Sequence, residues 1–303
     1  MNTLTSNRTQ SITFLKSIIE KGGPETIEYD ALNEIFDHLS NDYKAGKMTE
    51  NELQLLQQGF GDECMENTLH GHIKTKPYGY AGDFMIIDKI YQEQVTTDHR
   101  FEKWDIFWNN HSAAKAVRNR KDYFIKTMTN RLASKGDMRL LNVASGPARD
   151  LAELYEIIQP NQLSTVCVEA DKTAIGYAKN LNKVNADHIE FIHQNIFRYN
   201  AAEQFDTVWS AGLFDYFDDN IFVKLLRKFM SWTKPGGEVI IGNFSVQNPS
   251  RNYMELIGDW YLQHRSEEEL IAMAIKAGAK KENVWVGKEL QGVNLFLHVN
   301  VGE

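Results

Sequence analysis

Two hydrophobic periods divide the chain. From residue 11 to about 130, apolar residues recur at i, i+3 and i+4, the spacing of an amphipathic helix; Ser11 to Ile19 and Ile27 to Leu39 both show it. Thr49-Glu50-Asn51-Glu52-Leu53 opens a further helix, with Thr49 placed as its cap and Glu52 three residues on. Asp98 to Leu132 reads as one or two longer helices rich in aromatics, and no strand pattern appears in this half. Its break in regularity is Lys74 to Phe84, where Pro77, Gly79 and Gly82 stand among Tyr78 and Tyr80. From residue 138 short apolar runs alternate with helical stretches. Arg139–Val143, Ser164–Val168, Ile189–His193, Thr207–Ser210, Glu238–Asn243, Asn283–Val286 and Asn294–Asn300 read as strands. Such alternation predicts a parallel sheet with helices on both faces. The last two runs are joined only by Gly287 to Val293, too short for a crossover helix, so they are predicted to pair antiparallel.

The junction Leu140-Leu141-Asn142-Val143-Ala144-Ser145-Gly146-Pro147-Ala148-Arg149-Asp150 is a strand, a loop of small residues and a helix start. A loop without bulky side chains lets a ligand approach bare backbone at a helix N-terminus. The next strand runs into Glu169 and Ala170, and an acid at that tip can bind the two hydroxyls of a ribose. A dinucleotide site would carry three glycines in the first loop; here Gly146 alone remains, with Pro147 and Arg149 after it, so a pyrophosphate fits poorly. A cofactor with a ribose and an amino-acid carboxylate but no phosphate, S-adenosylmethionine, fits better, and Arg149 is placed to pair with its carboxylate. Beyond the third strand, Gln194 and Asn195 can hydrogen-bond an adenine while Ile196 or Phe197 packs on it. The fourth strand ends in Ser210-Ala211-Gly212, beside the reacting end of such a ligand, and Lys234-Pro235-Gly236-Gly237 precedes the fifth.

These features, in this order, resemble the class I S-adenosylmethionine-dependent methyltransferases over roughly residues 111–303. The resemblance implies an α/β, Rossmann-like doubly wound, mostly parallel seven-stranded sheet ending in an antiparallel hairpin, with residues 1–110 as a helical lid domain and 111–303 as the cofactor-binding domain. It departs from that family in its first loop, where Asn142 stands in place of an acid, so the ammonium of the cofactor lacks an evident partner. Lys76-Pro77-Tyr78-Gly79-Tyr80-Ala81-Gly82-Asp83-Phe84 and the run Asn248 to Arg265 are further similar to bacterial methyltransferases of 3-hydroxypalmitate methyl ester biosynthesis, which methylate a carboxylate. That likeness implies a small-molecule carboxylate in signal or natural-product biosynthesis. The alternatives are a small-molecule N- or phenol O-methyltransferase, a non-catalytic S-adenosylmethionine-binding protein, and, disfavoured by the missing glycines, a nucleotide-dependent oxidoreductase.

The Tyr78–Phe84 string reads either as a turn between helices or as an aromatic lid that favours a sulfonium cation. In the second reading Tyr78 touches the cofactor, Asp83 takes its ammonium, and Tyr80 faces substrate. Ala144 joins Gly146 in the cofactor loop. Phe214, Tyr216, Asn243, Arg251, Trp260 and Tyr261 are candidate substrate walls. Asp215, His111 and Arg265 are candidate bases or substrate-positioning groups.

Composition narrows the partners. The chain has 303 residues, which suggests about two domains. Its net charge of −8 argues against a nucleic-acid or anionic-membrane surface, and a small molecule remains the expected partner; the oligomeric state is not indicated. No apolar run reaches the ~18 residues of a membrane span. Met1 to Gln10 is polar and lacks the apolar core of a signal peptide. Of the two cysteines, Cys64 and Cys167, the second lies in a predicted strand, so a reducing cytoplasm is expected. No Cys/His cluster has metal-ligand spacing, and no metal is expected.

Overall fold

The computed structural model describes residues 8–302; the first seven residues of the polar N-terminal segment lie outside them. The chain forms two compact units, one of Met1–Lys115 with Pro249–Tyr261, the other of Ala116–Asn248 with Leu262–Glu303. The return of 249–261 to the first unit has no counterpart in the simple division at residue 110.

The first unit is helical among the described residues: α1 (Arg8–Glu20), α2 (Tyr29–Lys44), α3 (Glu50–Gln58), α4 (Asp62–Asn67), α5 (Leu69–Thr75), α6 (Phe84–Tyr91) and α7 (Glu102–Asn110). Thr49 caps α3 as predicted, accepting from the Glu52 amide while the Glu52 carboxylate takes the Thr49 amide. The aromatic stretch after Asp98 becomes two helices, α7 and α8 (Ser112–Lys135), parted at His111, whose backbone is extended. The unit's core is aromatic. Trp104 meets Phe60 and Phe107 edge to face, at ring separations of 5.1 and 6.1 Å.

The second unit is built on one sheet. β1 (Met138–Val143) leads to α9 (Arg149–Ile157), β2 (Leu163–Glu169), α10 (Lys172–Leu181), β3 (Ile189–His193), β4 (Phe205–Ser210), α11 (Asp219–Ser231) and β5 (Thr233–Phe244). After α12 (Arg251–Leu256), which belongs to the first unit, come α13 (Glu267–Ala277), β6 (Val284–Lys288) and β7 (Asn294–Asn300). The strand order is β3-β2-β1-β4-β5-β7-β6, with β7 antiparallel to both neighbours and the pairs from β3 through β5 parallel. The predicted seven-stranded, mostly parallel sheet ending in an antiparallel hairpin is thus the observed one. Glu289 makes the tight hairpin link possible, because its carboxylate takes the backbone amides of Gln291, Val293 and Asn294.

Alternation places successive strand residues on opposite faces. Leu141, Val208 and Ile241 meet Phe222 and Phe229 of α11 and Leu270 of α13. Leu140, Cys167, Trp209 and Ile240 meet Phe124 and Met128 of α8 and Leu151 of α9. In the first unit, α12 is tied to α2 by Asn252, which accepts from Ser40 and Lys44 and donates to Asp37, and by Tyr253 packed 4.8 Å from Phe36.

Candidate active site

The crossing from β1 to α9 takes five residues, three of them in left-handed backbone: Ala144 (φ 54°), Gly146 (φ 52°) and Ala148 (φ 51°). Only glycine adopts this region freely, and the two alanines, with the smallest possible Cβ, hold it at a cost of about 1–2 kcal/mol each. Such strain persists where the surroundings over-determine the backbone, and it collects at ligand sites. Here the surroundings are β2. The Ala144 amide donates to the Val168 carbonyl (2.8 Å) and the Gly146 amide to Glu169 Oε2 (2.9 Å).

Glu169 is the hub of this edge. Its Oε1 accepts from the amides of Ala170 (2.7 Å) and Asp171 (3.0 Å), and its carbonyl accepts from Gln194 (2.9 Å), which brings the β3 tip alongside. Asn195, exposed, turns the chain by accepting from the Phe197 amide (2.9 Å). Ile196 is buried in the core facing α11, so of the two residues expected to pack on a base it is Phe197, half exposed and edge-on to Phe217 at 5.3 Å, that presents a surface. Along one edge of the sheet therefore stand Asn195, Glu169, the Ala144–Ala148 loop and, from β4, Ser210 and Gly212. Among the described residues, buried polar atoms without a partner at this edge include Asn142 Nδ2 at the end of β1 and Ser210 Oγ at the end of β4. Buried polar atoms are seldom left so, and each is a contact that a bound group could complete.

The structure adds two charged residues that sequence reading passed over. Arg120 projects from α8 and is 6 % exposed; its Nη1 lies 3.4 Å from the Ala211 carbonyl, and a Cβ on Gly212 would come within 3.1 Å of it. Asp150, in the first turn of α9, is buried, and burial pushes its carboxyl up to about 6 against the pull of the Leu151 amide and the Arg120 charge. Their signals were present, an arginine four residues before Phe124 in a buried stripe and an acid beside the loop, but both residues also suit a helix surface. Arg149 itself is half-buried at the first position of α9.

Several expected contacts prove to belong to the framework. Arg265 is 3 % exposed and uses all five N–H donors within its own unit: Nε and Nη2 on Asp219, Nη1 on the Phe214 carbonyl and Asn243 Oδ1, Nη2 on the Phe217 carbonyl. It fixes the β4 exit instead of reaching a substrate. Asn243 is held the same way, its amide donating to the carbonyls of Phe244 and Gln263. Phe214 is fully buried against Phe222 and Phe229. Asp215 is buried with Oδ1 on the Phe244 amide (2.6 Å), and burial lifts its carboxyl to about 6 while Phe244, Arg120 and Arg265 oppose the rise. Tyr216, beside it, is 41 % exposed.

The remaining candidates lie in the first unit. Tyr78 and Tyr80 are exposed on the turn between α5 and α6, Tyr78 lying edge-on to Phe84 at 4.6 Å. Asp83 does not offer an open carboxylate: it is 1 % exposed, caps α6 through the Met85 and Ile86 amides, and holds His72 Nε2 with both oxygens. His111 donates through Nε2 to Asn33 Oδ1 (3.1 Å), and burial lowers it to about 3, so it is a neutral ring at physiological pH. Arg251 pairs with Glu255 within α12, Trp260 is buried and Tyr261 is exposed.

Sheet order, hairpin and loop define the fold. Residues 140–237 match the family model described as a methyltransferase domain. Those residues thus match a methyltransferase domain, within a fold shared with solved S-adenosylmethionine-dependent methyltransferases. Among particular solved structures, it is similar to a possible exported protein from Bordetella parapertussis (14% identity, TM-score 0.67, covering 100% of this chain and 98% of that one). It is also similar to the S-adenosylmethionine-dependent methyltransferase SibL in its apo form (15% identity, TM-score 0.52, 98% and 95%) and to the DszA carbon methyltransferase (12% identity, TM-score 0.51, 62% and 55%). No curated protein matches the chain by sequence.

Proposed function

We propose that the chain transfers a methyl group from S-adenosylmethionine to the carboxylate of a small molecule, forming a methyl ester in signal or natural-product biosynthesis. The observation that carries the cofactor reading is the strained Ala144–Ala148 loop tied through the Gly146 amide to Glu169. Glu169 is placed to take the ribose hydroxyls, Asn195 and Phe197 to meet the base, and Gly212 to leave space at the reacting end. Bound there, the cofactor supplies an electrophilic methyl group on a sulfonium, with a neutral sulfide as leaving group. The protein's part is to hold nucleophile and methyl group in line and to exclude water. A carboxylate, with a pKa near ~4, needs no base to become the nucleophile. That suits a β4 exit where Arg265 and Asn243 are fully engaged and the buried Asp215 already accepts from a backbone amide.

A second reading, methylation of an amine or phenol, draws on one observation: Asp215, lifted to about 6 by burial, lies in the range of a general base. With both thiols buried and unbridged, we place the protein in a reducing, cytoplasmic compartment.

The test is incubation with methyl-labelled cofactor and a panel of carboxylic acids, phenols and amines. Label in a base-labile ester supports the proposal, and label in an amine or ether replaces it with the second reading. Cofactor binding without transfer to any acid overturns methyl-ester formation. Absence of cofactor binding, with Glu169→Ala indistinguishable from wild type, overturns the whole reading.

A further inference from the structure

We infer that Arg120 and Asp150 together form the receptor for the amino-acid end of the cofactor, the guanidinium taking its carboxylate and the Asp150 carboxylate its ammonium. The inference rests on the cofactor reading proposed above. Phe124, Met128 and Leu132 form a buried stripe along α8 with a spacing of four residues, packed on the face of the sheet that carries Leu140, Cys167 and Trp209. Arg120 continues that stripe by one more turn. Because α8 leads by a short turn into β1, its earlier residues lie toward the carboxyl edge of the sheet, and the stripe ends there in a buried cation. A buried guanidinium is costly unless anions face it.

Two carboxyls feel its charge, those of Asp150 and Asp215, each drawn toward ionisation by Arg120. Asp215 also has the Arg265 charge beside it, whereas Asp150 has Arg120 as its attractive charge and Glu153 as a repulsive one, and burial holds both acids above their ordinary range. An ammonium brought beside Asp150 would favour its ionised form, and a zwitterion would supply it without adding net charge. The third element is Asn142, 2 % exposed, which by alternation shares the Leu140 and Cys167 face and has an unpartnered amide nitrogen. At the β4 exit a Cβ on Gly212 would come within 3.1 Å of the guanidinium, an approach that glycine avoids. Arg149, given the carboxylate by sequence reading, sits at a helix N-terminus where a cation gains nothing from the dipole.

The test uses the full chain and calorimetric titration with S-adenosylhomocysteine, with 5′-methylthioadenosine, which lacks the amino-acid end, and with the decarboxylated and deaminated analogues of the former. Wild type should favour S-adenosylhomocysteine over 5′-methylthioadenosine by about thirtyfold or more, as charge-assisted hydrogen bonds require. Arg120→Met should remove most of that preference while leaving 5′-methylthioadenosine binding unchanged within about twofold, with Arg120→Lys between the two. Asp150→Asn should weaken S-adenosylhomocysteine but not its deaminated analogue. Equal wild-type affinity for the full and truncated ligands overturns the inference, whether or not the variants fold. So does loss of the preference in Arg149→Met and not in Arg120→Met, or an equal loss for both ligands in a folded Arg120→Met. Failure of wild type to bind either ligand is a different result: it overturns the cofactor reading itself.

Discussion

At the residue scale, one carboxylate organises the carboxyl edge of the sheet and two others bear charge inside the unit. Glu169 accepts three backbone amides from two loops, so its removal releases the first loop and, on the proposed reading, deletes a ligand contact as well. Glu169→Ala should weaken S-adenosylhomocysteine by about 10–100-fold, read by calorimetry, as expected for charged hydrogen bonds. Asp150 and Asp215 carry the opposite consequence. Each is held near 6 in the fold, above its ordinary 3.8. A raised acid favours the folded state while it stays protonated, so its contribution is complete below about pH 4 and disappears as pH rises through about 6. The loss is about 3 kcal/mol for each group. Asp215→Asn keeps an oxygen for the Phe244 amide and cannot ionise. Urea unfolding at pH 4 and pH 7.5 should therefore show a smaller fall in stability for this variant than for wild type, by about that amount; an unchanged fall would contradict the assignment.

At the element scale, α8 is locked to the hairpin by a buried relay. The Tyr123 hydroxyl bonds His298 Nε2 (2.8 Å), His298 Nδ1 bonds Glu238 (2.8 Å), and Glu238 pairs with Arg131. Tyr123 also stacks on Phe296 at 3.9 Å, so its ring has little room to move. The hydroxyl fits because residue 287 of β6 is glycine: a Cβ there would lie 2.1 Å from it. Gly287→Ala should cost about 1–3 kcal/mol, as overpacking does, and Tyr123→Phe in the same chain should recover part of that, which a double-mutant cycle measures. In the first unit the α4–α5 corner depends on Gly71, where a Cβ would fall 1.8 Å from the Met65 carbonyl. Backbone cannot yield there as a side-chain tip can. Gly71→Ala should lower the unfolding midpoint more than Gly287→Ala does.

At the scale of the whole molecule, ligand binding and folding are linked. S-adenosylhomocysteine at 100 times its dissociation constant should stabilise the folded chain by about 2.7 kcal/mol and raise its melting temperature. The same ligand concentration should stabilise Glu169→Ala by only about 0.4–1.4 kcal/mol, given binding about 10–100-fold weaker, and so raise its melt by half as much or less. A rise of equal size in both proteins would place the ligand elsewhere. Among the described residues no helix is long and apolar enough to cross a membrane.

Local pattern alone determined the strands, the antiparallel hairpin and the Thr49 cap, because period and capping depend on residues within one or two turns of each other. It also marked Glu169 and the Gly146 loop, since both sit at strand ends whose place the period reveals. Only the tertiary structure decided the rest, and in each case the reason is distance along the chain. Arg120 and Asp150 are thirty residues apart, and each alone resembles a surface residue; burial against one sheet face is what makes them a pair. Arg265 looked available until the Phe214 and Phe217 carbonyls, about fifty residues earlier, took its donors. Asp83 looked open until His72 and its own helix filled both oxygens. Residues 249–261 gave no sign that they would return to the helical unit, because the contacts that hold them, Asn252 with Asp37 and Tyr253 with Phe36, join segments over 200 residues apart.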